Sequence, residues 1–360
     1  MITRYEPTRD QWAAHLDEVA PGLARYRQDQ WWSGLYGQLA EPEEITALPA
    51  DLRRRLADAF PPSLTPMTTR HCDDDTTLKH VWQLADGALV ESVLMLYPDR
   101  ATVCVSSQAG CAMACGFCAT GQAGFTRHLS IGEIVEQVVR AARAARDRGR
   151  RLGNVVYMGM GEPLANEAAV WGSVERLHGE LGLSARHLTI STVGIVPGIA
   201  KLATRGLPVN LAVSLHAAND TLRDQLVPIN RRYPLAVLME ACAAYLEAKG
   251  RRLSFEWAMI DGVNDRPSDA AELAELCRAL PLPAHVNLIP LNPTPGWPTV
   301  GSPPERVVAF REALERRRVN ATIRRNRGTE IDAACGQLAA RVTASAPVAL
   351  TTRPSSAPAG

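Results

Sequence analysis

The chain carries almost nothing that would direct it to a membrane or out of a reducing compartment. Its N-terminus, MITRYEPTRDQW, is charged and has no apolar core of the signal-peptide kind. No apolar stretch reaches the length of a bilayer span. A cytoplasmic setting without a membrane partner is expected. The net charge is only +1 over 360 residues, so no overall excess announces a polyanionic partner. The eight cysteines contain no two paired knuckles of the spacing that builds a four-ligand structural zinc site. With 46% hydrophobic residues, the length suits one large domain and a small one.

What is present is concentrated in CAMACGFC, where Cys111, Cys115 and Cys118 bring three thiolates into one short loop after an apolar strand. A 4Fe–4S cube needs four protein ligands to be closed, so three leave one iron open to a small molecule. The spacing resembles that of the radical S-adenosylmethionine (SAM) enzymes. There the open iron chelates the methionine part of SAM, and reductive cleavage yields a 5′-deoxyadenosyl radical.

Residues 1–60 read as a helical domain, with Trp12, Leu16 and Val19, then Trp31, Trp32, Leu35 and Tyr36, at amphipathic spacing. Residues 61–100 read as a linker, PPSLTP, and a β-hairpin, LKHVWQL and LVESVLMLY, around an Asp86-Gly87 turn. From Ala101 to about 342, apolar strands alternate with helices, one of them opened by a Ser130/Glu133 capping box. This predicts an α/β fold with a parallel sheet, a barrel or partial (βα) barrel. The polar oddities gather at strand C-termini, where such a barrel places its chemistry. Residues 343–360, rich in Ser, Ala and Pro, read as a disordered tail.

GMGEP, residues 159–163, follows a strand, so Gly161 allows close approach and Glu162 offers an acceptor for an amino group. Ser191 and Asn292 are ordinary loop residues taken singly, and His216 in SLHA suits a satisfied core histidine. Taken by themselves, Cys104 and Cys335 read as small buried hydrophobes, a reading that only a mechanistic need for two more thiols reverses, and Cys72, Cys242 and Cys277 read as buried or inert thiols. Two basic runs, Arg140 to Arg151 and Arg311 to Arg327, suit solvated helix faces and say little alone.

Taken together, CVSSQAGCAMACGFCATGQAGF, VVYMGMGEPLAN, LTISTVGIVPGI, VSLHAANDTLRDQLVPIN, NLIPLNPTPG and RGTEIDAACGQLA resemble the RlmN-type radical methyltransferases, collinearly from about Tyr26 to Arg341. The resemblance implies a radical SAM barrel, one 4Fe–4S cluster, SAM, and an electron donor such as a flavodoxin system. The implied substrates are 23S ribosomal RNA and tRNA, methylated at carbon 2 of an adenosine by a protein whose default state is a monomer. Cys111, Cys115 and Cys118 then hold the cluster. Gly161, Glu162, Ser191, the stretch Ser214, Leu215 and His216, and Asn292 bind SAM. Cys335 receives a methyl group, Cys104 resolves the resulting intermediate by forming a disulfide, and Glu91 is the general base. The N-terminal helices and basic runs become RNA contacts. One departure, CDDDTTLKHVWQL, is longer and more acidic than the family's usual turn, and is expected to touch the first hairpin and not the chemistry.

Carbon 2 of adenine lies between two ring nitrogens and is electron-poor, so it cannot attack a methyl cation donor. A radical route through a methylated cysteine answers that mismatch. Three other readings stay open on the sequence. Cfr-type enzymes methylate carbon 8 of the same adenosine with nearly the same motifs, although Phe125 and TRHL favour carbon 2. A radical enzyme acting on a non-RNA substrate would leave Cys104 and Cys335 without a task. A non-catalytic RNA-binding protein would hold a structural metal.

Overall fold

The computed structural model describes residues 2–294 and 296–339, so the tail expected over 343–360 lies outside the described residues. Three helices, α1 (Arg9–Val19), α2 (Arg25–Trp32) and α3 (Ala50–Ala59), open the chain. Thr8 caps α1 through a reciprocal box with Gln11. Trp12, Leu16, Trp31, Trp32, Leu35 and Tyr36 are buried as the spacing predicts, and Val19 is half-buried. The Trp12 ring lies 3.9 Å from that of Phe60.

Strands β1 (Thr65–Cys72), β2 (Thr77–Gln83), β3 (Leu89–Leu96) and β4 (Ala101–Cys104) form an antiparallel meander. The hairpin at Asp86-Gly87 is as expected, with Gly87 at φ +85°. The sequence reading missed β1 because it is an exposed edge strand with no apolar alternation. Short strands β5 (Gln108–Gly110) and β6 (Phe125–His128) pair with each other across the cysteine loop and the single-turn helix α4 (Ala119–Gln122). Then come α5 (Ile131–Arg146), β7 (Leu152–Tyr157), α6 (Glu167–Gly179), β8 (Leu188–Thr192), α7 (Val196–Thr204) and β9 (Asn210–Ser214). The described chain continues through α8 (Asp220–Leu226), α9 (Leu235–Lys249), β10 (Leu253–Met259), α10 (Pro267–Arg278), β11 (His285–Pro290), α11 (Pro304–Arg316) and β12 (Asn320–Ile323).

Ten strands make one sheet in the order β1-β2-β3-β4-β7-β8-β9-β10-β11-β12, parallel from β4 onward. The order does not close on itself, so the barrel is partial. All seven residues of β10 are buried, as a parallel strand covered on both faces requires. Both capping-box bonds of Ser130 and Glu133 are present at the start of α5.

Two expectations change. The basic run from Arg140 is not a free face: Arg140 bonds Leu64 O and Glu136, Arg143 bonds Leu39 O and Glu41, and Arg146 bonds Gln38 O. These three arginines fasten α5 to the segment that precedes it, while Arg146, Arg148 and Arg151 of the same run stay exposed. The acidic turn also reaches further than the first hairpin. Asp73, Asp74 and Asp75 all adopt left-handed backbone, and Asp73 Oδ2 accepts from Gly328 N at 3.1 Å, at the root of the Cys335 loop.

Candidate active site

The C-terminal ends of the parallel strands surround one cavity of about 600 Å³. Cys111, Cys115 and Cys118 line it together. Their loop is fixed by Cys111 N to Gly124 O at 2.7 Å, by Gln122 Nε2 to Gly116 O at 2.5 Å, and by Phe117, which packs edge-on against His216 at 4.8 Å. Burial raises all three thiols, Cys111 to about 11. Among the described residues no three His, Cys, Asp or Glu side chains converge tightly enough for a single ion. The donor set instead suits a cube that meets each sulfur at a separate corner, three soft thiols from one loop beside one buried carboxylate.

That carboxylate is Glu162. Its two oxygens accept from Leu164 N at 2.9 Å and Val193 N at 2.8 Å, and burial lifts it to about 7. Gly161 beside it sits at φ +99°, and an added Cβ would fall 2.5 Å from Gln108. Only glycine fits there. Ser191, Ser214 and His216 line the same cavity. His216 has left-handed backbone at φ +60°, and its Nδ1 accepts from Ala258 N at 3.0 Å. Burial drives it down to about 3, which makes it a neutral, satisfied ring at the cavity wall. Leu215 differs from its neighbours: it is fully buried in the core and does not line the cavity. Alternation along the chain puts it on the opposite side.

Cys104, at the end of β4, and Cys335 line the cavity as well, both as free thiols. Burial lifts Cys104 to about 12, with Cys335 adding to the rise, while Cys335 is exposed. Asn292 does more than the sequence suggested: its Nδ2 donates to Cys335 O at 3.1 Å and its Oδ1 accepts from Asn326 at 2.7 Å, so it also holds the Cys335 loop. Glu91 is not on the cavity wall. It is buried on β3, and its carboxylate lies 3.4 Å from Lys79 Nζ.

Arg324, Glu256 and Lys79 were missed from sequence. Arg324 Nη1 stands 3.8 Å from Cys335 Sγ, 3.9 Å from Met158 Sδ and 3.6 Å from Glu256 Oε2. The Cys335 sulfur and then Glu256 reinforce its charge. Glu256 in turn accepts from Asn287 at 2.7 Å and Ser254 at 2.9 Å. The available signal was a charged residue inside an otherwise apolar strand, RLSFEWAMI, which seldom occurs without a partner.

A family model described as the Radical SAM superfamily matches residues 105–276. A protein of Frankia casuarinae named "Probable dual-specificity RNA methyltransferase RlmN" is 54% identical over 335 residues, covering 89% of this chain and 79% of that protein. One of the same name from Salinispora tropica is 52% identical, covering 89% of this chain and 88% of its own. The crystal structure of a radical SAM methyltransferase from Sphaerobacter thermophilus superposes with a TM-score of 0.90 at 49% identity. It covers 95% of this chain and 100% of that one.

Proposed function

Because the chain belongs to the RlmN family of radical SAM RNA methyltransferases, we propose that it methylates carbon 2 of one adenosine in 23S ribosomal RNA, at the peptidyl-transferase centre, and of one in tRNA next to the anticodon. The observation that carries this reading is that Cys104 and Cys335 share one cavity with the three-cysteine loop. A radical enzyme without a methyl-carrying thiol has no use for that pair.

In this reading Cys111, Cys115 and Cys118 hold a 4Fe–4S cluster, and Glu162, Gly161, Ser191, Ser214, His216 and Asn292 bind SAM. Bound there, the cluster and SAM supply a carbon-centred radical able to take hydrogen from a methyl group. Cys335 accepts a methyl group by displacement, for which a sulfur nucleophile is suited, and Arg324 provides the positive charge beside it. Cys335 then presents the activated carbon to adenine, Glu91 removes the carbon-2 proton, the one electron left over from the radical addition would return to the bound cluster, and Cys104 releases the product. The adenine enters unstacked, because its carbon 2 is inaccessible within a helix. Arg325 on the cavity wall and the helices of residues 1–60 are the proposed RNA contacts. A monomer served by a flavodoxin-type electron donor completes the picture. The test is anaerobic reaction with each RNA separately, followed by nucleoside mass spectrometry. A 2-methyladenosine is expected, and an 8-methyl product would reassign the position.

Two substitutions probe the cofactor residues. Cys118→Ala is expected to lose the visible absorption of the reconstituted cluster together with SAM cleavage; retention of both would remove the loop from its role. Glu162 is neutral below its raised value and a carboxylate above it, and only the carboxylate pairs with an ammonium. SAM binding therefore tightens as pH rises through about 7. In Glu162→Gln titration calorimetry is expected to show binding roughly ten- to hundredfold weaker, with that pH dependence gone.

A further inference from the structure

Lysine is rarely buried unless its charge is matched, yet Lys79 on β2 is only 5% exposed. Across the β2–β3 ladder Lys79 faces Val93 and Val81 faces Glu91, so Lys79 and Glu91 are diagonal neighbours on one face of the sheet. Val93 and Met95 lie on that same face and line the cavity, and Val93 also pairs with Cys104. Glu91 therefore stands one step, about 7 Å, along the strand from the cavity wall. Lys79 Nζ is 3.4 Å from Glu91 Oε1 and donates to Asp332 O at 3.2 Å. Asp332 lies three residues before Cys335 and adopts left-handed backbone at φ +53°, a conformation that a non-glycine residue keeps only when its surroundings impose it.

One ammonium thus touches the carboxylate read as the base and the loop read as the methyl carrier. We propose that Lys79 is a positioning residue that holds Glu91 and the Cys335 loop in a single register, so that the base meets the adenine proton where Cys335 delivers carbon. The proton passes from adenine carbon 2 to a Glu91 carboxylate oxygen while the Lys79 ammonium stays charged beside it. The neighbouring contacts agree with this design. Asp73 holds Gly328 N, and Arg327 reaches Leu96 O at 2.9 Å and Thr76 Oγ1 at 3.2 Å, so the first three strands grip the same loop at its root. The inference rests on the reading of Glu91 as the base.

The test is a single turnover of the reconstituted full-length protein, with Cys335 already methylated, on RNA carrying hydrogen or deuterium at adenine carbon 2. In Lys79→Met the RNA methylation rate is expected to fall about 10²-fold, as misplacing a catalytic group by about 1 Å does. Intact mass confirms that Cys335 is fully methylated before RNA is added, and the deuterium isotope effect at carbon 2 should rise above that of the parent protein. Lys79→Arg, which keeps the charge, is expected to recover most of the rate. A purely structural lysine would slow turnover without raising the isotope effect, and that result overturns the proposal. Glu91→Gln in parallel separates two failures. If it raises the isotope effect and Lys79→Met does not, the base stands and the coupling falls. If neither variant raises it, the base reading falls and takes the proposal with it. Should Lys79→Met not fold, Lys79→Gln carries the same readout.

Discussion

Cys335→Ala is expected to reduce RNA methylation to background while leaving cluster absorption and SAM binding intact. The cluster loop, Glu162 and Cys335 all line the cavity, and Asn292 holds the Cys335 loop through Cys335 O. Ala119 N also donates to Gly336 O at 2.7 Å, so the loops stay docked through backbone that the substitution leaves untouched. The loss is therefore chemical, with no sulfur left to carry carbon to a ring position that cannot act as a nucleophile. RNA methylation assayed alongside cofactor binding checks this. Normal turnover in the variant would mean that the methyl group reaches RNA without a cysteine carrier.

Cys104→Ala is expected to act at the other end of the cycle and to accumulate a covalent RNA–protein adduct through Cys335. In the cycle proposed above, Cys104 attacks the Cys335 sulfur. The S–S bond forms as the S–C bond breaks, the electron pair leaves with the carbon, and that carbon takes a proton to become the methyl group. Burial holds Cys104 at about 12, so it waits as a thiol and must be deprotonated to attack. With alanine there, the other cysteines that line the cavity among the described residues are Cys111, Cys115 and Cys118, which the proposed cluster would occupy. Among the described cysteines, Cys242 and Cys277 are buried in the core and do not line the cavity. A band of RNA cross-linked to protein on a denaturing gel, with the crosslink mapped to Cys335, is the expected outcome. Free methylated RNA without a crosslink would assign the release to another group.

The chain advertised its barrel because parallel strands buried on both faces read as apolar runs, and the strands LTIST, NLAVS and LSFEWAM are runs of that kind. The cysteine loop and GMGEP were legible because their function depends on spacing within a few residues. The N-terminal arm of the sheet was less so: β1 is an exposed edge strand whose residues carry no periodic apolar signal. The links between distant segments could not be read at all. Lys79 is separated from Asp332 by 253 positions and Asn292 from Cys335 by 43, and no local pattern records such contacts. The acidic turn was misjudged for the same reason, since Asp73 meets Gly328 only once the chain has folded back. The basic run from Arg140 shows the converse for three of its arginines, Arg140, Arg143 and Arg146. Its charge is conspicuous in sequence, but its partners, Glu41, Leu39 O, Gln38 O and Leu64 O, are contributed by a region about a hundred residues away or less.

The most direct measurement follows a labelled carbon. Protein whose Cys335 already bears an isotopically labelled methyl group is given unlabelled SAM, reductant and substrate RNA for one turnover, and the RNA is digested and weighed. Transfer through Cys335 puts the label in the new methyl group of adenosine and leaves Cys335 without a methyl group, in a disulfide with Cys104. An unlabelled methyl on the RNA, with the labelled one still on Cys335, would contradict it.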